Sequence, residues 1–137
     1  MIVGRWAMLA GLVALGGCSA GKDVPIAEKA TDAFHAQLNA GQLDAIYANG
    51  GADLKAATKQ ADMVALLGAV HRKLGAFKSG TIQGWNDSVT TDGHMITLNY
   101  DASYQNGAAA ETFVYRMSGG KAQLVGYHVN SDQLILR

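Results

Sequence analysis

Three glycine turn signals divide the second half of the chain: Asp92-Gly93, Asn106-Gly107 and Gly119-Gly120. Such pairs between alternating apolar residues are strong hairpin signals, because the favoured two-residue turns need positive φ. Together they predict four strands in an antiparallel meander. A two-residue turn at Asn106-Gly107 pairs Tyr100 with Phe113, Leu98 with Tyr115 and Ile96 with Met117 on one face. Thr97 with Arg116 and Asp101 with Thr112 then share the other face. A two-residue turn at Asp92-Gly93 places Val89 opposite Ile96 and Trp85 opposite Tyr100, again on the apolar face. A one-residue slip would invert every side chain, so agreement across two turns supports this pairing. The third turn leaves two registers open. A strict two-residue Gly119-Gly120 loop sends Val125, Tyr127 and Val129 to the opposite face, whereas a three-residue loop or a bulge returns them.

The segment before Gly75 reads as helical. Asp23 and Pro25 open a helix that runs to about Ala40 and stops at Gly41, with Ile26, Ala30, Ala33, Phe34 and Leu38 at helical spacing. A short helix is expected over Gln42 to Asn49, ended by Gly50-Gly51, and another near Asp53. A longer one from about Thr58 to Leu74 carries Met63, Leu66, Leu67, Val70 and Leu74 as one stripe. His71, Arg72 and Lys73 in its last turn suit the helix dipole, and Gly75 ends it. Helices followed by a bent four-stranded antiparallel sheet predict a single α+β domain over residues 24–137, with the helices on one face.

The N-terminus has a different character. Met1 to Arg5 carries one basic residue, Trp6 to Leu15 is apolar and uncharged, and Gly16-Gly17 precede Cys18, the only cysteine. That is the layout of an exported precursor. The apolar run is half the roughly 20 residues that a spanning helix needs. Leu15-Gly16-Gly17-Cys18 resembles the lipobox of bacterial lipoproteins. The resemblance implies a signal peptide over residues 1–17, cleavage before Cys18, diacylglycerol on its thiol and a further acyl chain such as palmitate on its amine. Residues 18–23 then form a short tether. Ser19 in place of Asp implies the outer membrane, with the domain facing the periplasm. An acylated Cys18 leaves no thiol for disulfide, metal or redox chemistry. Stable anchoring needs more than one acyl chain, which a triacylated cysteine supplies.

The helix end Arg72-Lys73-Leu74-Gly75 ahead of the first strand, and the last strand Gln123-Leu124-Val125-Gly126-Tyr127-His128-Val129, resemble the cystatin-like superfamily. That superfamily includes the nuclear-transport-factor-two-like folds and small families of exported bacterial proteins. The resemblance covers roughly residues 24–131 and implies a fold with a concave pocket, without implying an activity.

Charge and motifs narrow the chemistry. Eleven Lys and Arg balance eleven Asp and Glu with no basic stripe, so nucleic acid is not an expected partner. His35, His71, His94 and His128 lack metal-ligand spacing. Gly75 and Gly80 are followed by Thr81-Ile82 where a phosphate loop needs Lys and a hydroxyl residue, and no Gly-x-Ser-x-Gly elbow occurs. Neither a metal nor a cofactor is expected. One acid stands out. On the expected register Asp87 lies on the apolar face, opposite Leu98 and beside Trp85, near Tyr100 and Tyr115. Burial there would raise its pKa. The resemblance supplies a use for it, since ketosteroid-isomerase-like and dehydratase-like enzymes hold an acidic base and a Tyr or Asp donor inside the cone. Trp85, Tyr100, Tyr104, Phe113 and Tyr115 form an aromatic stripe that either packs the core or lines a pocket.

The leading expectation is a non-enzymatic envelope lipoprotein that binds a protein partner or a small apolar ligand close to the membrane. A pocket enzyme of isomerase or dehydratase type using Asp87 is the rival. The third reading is an assembly lipoprotein in which two copies pair through Val114, Val125, Tyr127 and Val129 on the outer sheet face.

Overall fold

The computed structural model describes residues 21–136. Leu15-Gly16-Gly17-Cys18 and the start of the tether lie outside the described residues. Within them the chain is α+β. Helices α1 (Val24–Asn39), α2 (Leu43–Ala48), α3 (Ala52–Ala57) and α4 (Gln60–Leu74) precede strands β1 (Phe77–Thr90), β2 (Gly93–Tyr104), β3 (Gly107–Ser118) and β4 (Lys121–Asn130). A last helical turn, α5 (Asp132–Ile135), follows β4 and lies beyond the pattern read from the sequence. It is opened by Ser131, whose hydroxyl accepts from the Gln133 amide.

The sheet is an antiparallel meander in the order β1-β2-β3-β4, with the long helices on one face. Its first two turns fall one residue earlier than expected. Thr90 pairs with Gly93 and Tyr104 with Gly107, so each glycine is the first residue of the next strand. The pairing is thereby displaced by two residues. Tyr100 faces Glu111, Leu98 faces Phe113 and Ile96 faces Tyr115. Asp87 faces Ile96 and Trp85 faces Leu98. A displacement of two keeps every side chain on its expected face, which is why the apolar pattern alone could not reveal it.

The third turn is the strict two-residue loop, with Gly119 at φ 58° and Gly120 at φ 74°. Both angles are those the favoured hairpin turn demands. A bulge then follows between the Tyr115–Leu124 and Val114–Gly126 pairs. It returns Tyr127 and Val129 to the helix side, opposite Phe113 and Glu111. Tyr127 is buried, so neither it nor Val129 is available on the outer face for pairing two copies.

Helix α1 buries Ala27, Thr31, Phe34, His35 and Leu38. The expected stripe shares only Phe34 and Leu38 with this set; Ala33 is exposed, and Ile26 and Ala30 are half-buried. The helix is rotated so that two polar residues enter the core. Helix α4 buries Met63, Leu67, Val70 and Leu74 as expected, with Leu66 at its margin. The aromatic stripe packs against these helices. Tyr100 lies over Gly80, where an added Cβ would collide with the ring. Strand β1 is irregular on both sides of this contact, between Phe77 and Ser79 and between Ile82 and Gly84.

The molecule has two distinct ends. At one, the Gln105-Asn106 turn receives α4: the Gln105 amide donates to Ala76 O and the Asn106 amide to Leu74 O. The end of α1 is joined there to Phe77, which exchanges two hydrogen bonds with the Asn39 side chain. At the other end lie the Thr91-Asp92 and Gly119-Gly120 turns and the start of α1.

Candidate functional site

Two polar constellations stand out, one inside the core and one at the end where α1 begins. The interior one is built on Glu111 of β3. Its neighbours on the same face alternate as Ala109, Glu111, Phe113, Tyr115 and Met117, all buried. The carboxylate therefore points into the core, at 1% exposure. Glu111 Oε1 lies 2.8 Å from His35 Nε2. Oε2 accepts from the Tyr104 hydroxyl at 3.0 Å and from the Tyr127 hydroxyl at 2.5 Å.

The surroundings assign the protons. His35 Nδ1 is buried with no hydrogen-bond partner among the described residues. The ring stacks on Phe77 at 3.7 Å and 7°. An imidazolium, or a ring protonated at Nδ1, would bury an N–H with no acceptor, which costs more than an idle lone pair. The network therefore assigns the neutral ring with its proton on Nε2, donating to an ionised Glu111. Three donors then hold the carboxylate. One turn earlier, the Thr31 hydroxyl donates to Ala27 O at 3.0 Å. Its oxygen is left to accept from the Tyr115 hydroxyl at 2.7 Å.

Burial raises the phenols of Tyr104, Tyr115 and Tyr127 well above their ordinary value, and the Glu111 charge adds to the rise. They remain donors throughout the neutral range. His35, Glu111 and Tyr104 are buried, while Tyr127 borders a cleft of about 340 Å³ beside Leu54, Met63 and Leu66. The chemistry of the cluster is to hold α1, β2, β3 and β4 together.

The second constellation contains Asp87. Its Oδ2 accepts the Gly21 amide at 2.9 Å, and its Oδ1 lies 2.6 Å from His94 Nε2. On the other side of that ring, His94 Nδ1 is 3.7 Å from Asp23 Oδ2. The Asp87 side chain is 6% exposed. Its carboxyl is nevertheless held below the usual carboxylate range. The Gly21 amide is the largest cause, and His94 adds to it against the opposing effect of burial. The expected raised pKa is thus reversed, because the chain's own N-terminal segment supplies a donor that the strand pattern could not reveal. The hydrogen-bond partners of Asp87 are Gly21 and His94, while the hydroxyls of Tyr104 and Tyr127 bond Glu111 and that of Tyr115 bonds Thr31.

The four residues expected to line a pocket are placed differently from one another. Tyr100 and Phe113 are core residues, and Phe113 is fully buried. Tyr115 is buried too and only borders a cleft of about 180 Å³ between α1, α2 and the sheet. Trp85 is 48% exposed, and its ring lies across Gly21. Gly21 has φ 81°, and a Cβ there would sit 2.7 Å from the Trp85 ring. Glycine thus suits both the turn and the contact.

Among the described residues no group of three or more His, Cys, Asp or Glu side chains is placed to hold a metal. No protein-family model matches the chain, and no curated protein matches it.

Two linkage predictions follow from the shifted groups. The unfolded chain releases tyrosine protons near pH 10, while Tyr104, Tyr115 and Tyr127 keep theirs when folded. Their contribution is complete below that pH and falls above it, by about 1.4 kcal/mol per pH unit for each phenol. In a tyrosine absorbance titration these three should ionise only as the far-ultraviolet circular dichroism collapses. Smooth ionisation near pH 10 with the fold intact would contradict the buried network. Asp87 has the opposite sign. Its lowered pKa favours the folded state above about pH 4, and that benefit is lost as pH falls further. Asp87→Asn should lower Tm by a few degrees at pH 7 and converge with the parent in acid. An equal deficit at both pH values would argue against an ionised Asp87.

Proposed function

We propose that this chain is a bacterial envelope lipoprotein, held in the membrane by acyl chains on Cys18, whose α+β domain is a non-enzymatic binding module close to the bilayer. The observation that carries the reading is Leu15-Gly16-Gly17-Cys18 after an uncharged apolar run. The seat of Gly21, whose amide is bonded to Asp87 and whose backbone lies under Trp85, bears on how near an anchored domain would sit. The sequence alone allows a free tether from residue 18 to 23. With Gly21 bound to the sheet, only the stretch from Cys18 to Gly21 is left as a leash. At about 3.5 Å per residue that is roughly 10 Å. An anchored Cys18 therefore keeps the domain against the membrane; Ser19 after it points to the outer membrane, with the domain facing the periplasm.

The non-enzymatic part of the proposal draws on both constellations. The Glu111 carboxylate is held by His35, Tyr104 and Tyr127, and Asp87 is occupied in holding the N-terminal segment. The sheet face away from the long helices offers room for a partner. It carries a cleft of about 390 Å³ near Asp101, Ala110 and Asn130, and one of about 270 Å³ near Ser79, Thr81 and Ser103.

Metabolic labelling with a palmitate analogue tests the anchor. Wild-type protein should carry the label and sediment with membranes, and Cys18→Ser should lose both. Unchanged labelling and sedimentation in that variant would sink the proposal.

A further inference from the structure

We infer that the exposed side chains of Trp85 and Val89 form a membrane-contacting strip, with the Trp85 indole seated among the lipid headgroups. The inference rests on the Cys18 anchor proposed above and adds the surface that the anchor presses onto the bilayer.

Trp85, Asp87 and Val89 alternate along the last part of β1 and share one face. That face is the one the long helices cover elsewhere, but here Trp85 is 48% and Val89 76% exposed. The acid between them is hydrogen-bonded to the Gly21 amide and to His94 and is largely covered, so the two apolar side chains are the exposed members of this face. Lys22, the residue after Gly21, is exposed and carries a cation that suits phosphate headgroups.

The occupant follows from where the chain leaves the domain. Gly21 touches the Trp85 ring, and Cys18 is three residues earlier. A lipid-bearing Cys18 thus lies within about 10 Å of the backbone that the indole covers. The polar zone on each side of a bilayer is about 5–8 Å deep, so the strip and the lipid attachment reach the same layer. Tryptophan is enriched at that layer, where its ring meets hydrocarbon and its N–H meets water. A bilayer is favoured over a protein partner because the covalent path fixes its distance from the strip.

The mature chain reports on itself, because Trp6 lies in the leader and Trp85 is then its only tryptophan. Acylated full-length mature protein would be reconstituted into phosphatidylcholine–phosphatidylglycerol vesicles, with and without brominated acyl chains. Mass spectrometry would verify the lipid on Cys18. Trp85 emission should shift to shorter wavelength on reconstitution and lose intensity to bromines placed near the headgroups. Val89→Glu should weaken that quenching with acylation unchanged. Acylated, vesicle-bound protein whose emission stays water-like and open to iodide would overturn the strip while leaving the anchor standing. Blue-shifted emission without bromine quenching would mean that a second copy or another protein covers the indole, and would overturn it equally. A chain without lipid on Cys18 removes the anchor, and the strip with it.

Discussion

Glu111 carries an ionised carboxylate on an interior strand, turned away from water. Desolvating such a group costs several kcal/mol, and only well-placed donors can offset it. His35, Tyr104 and Tyr127 supply them from α1, β2 and β4. Much of the architecture can be read as the geometry that brings those donors to one point. Helix α1 is turned so that Thr31 and His35, rather than Ala30 and Ala33, enter the core. Strand β4 is bulged after Leu124, which aims Tyr127 inward. Tyr104 ends β2 on the same face. Phe77, the first residue of β1, closes the arrangement by stacking on the imidazole.

At the other end of the sheet a second carboxylate has a different task. Asp87 is also largely covered, yet its partners are a backbone amide three residues from Cys18 and an imidazole that is 25% exposed. It ties the incoming chain to β1. The two acids divide the polar work of the domain: Glu111 holds the layers together, and Asp87 sets where the domain begins. The proposed anchor and the exposed Trp85–Val89 strip both meet at that second point.

The sequence made the outline legible because its signals are local. The hairpin dipeptides, the α4 stripe with its basic last turn, and the strand alternation yield four helices, four strands and the face of nearly every apolar side chain. The pairing of β1 with β2 and of β2 with β3 was displaced by two residues, since the apolar alternation is blind to an even displacement. The rotation of α1 is hidden from an apolar pattern because Thr31 and His35 are polar, although Ala27, Thr31, His35 and Leu38 also follow helical spacing. Glu111 could have been found. It occupies the apolar phase of β3, between Ala109 and Phe113, where alternation places a charge in the core. The seat of Asp87 depends on Gly21 folding back across the sheet, and no local pattern announces such a contact between residues 66 positions apart.

The central claim is that the buried Glu111 carboxylate holds the fold together. Urea unfolding of Glu111→Gln at neutral pH tests it most directly, because the amide keeps the size of the side chain while removing the charge and turning a donor toward other donors. The account predicts a loss of at least about 2 kcal/mol relative to the parent, as expected for breaking a buried charged network. A change within about 0.5 kcal/mol, as for an ordinary surface substitution, would contradict it.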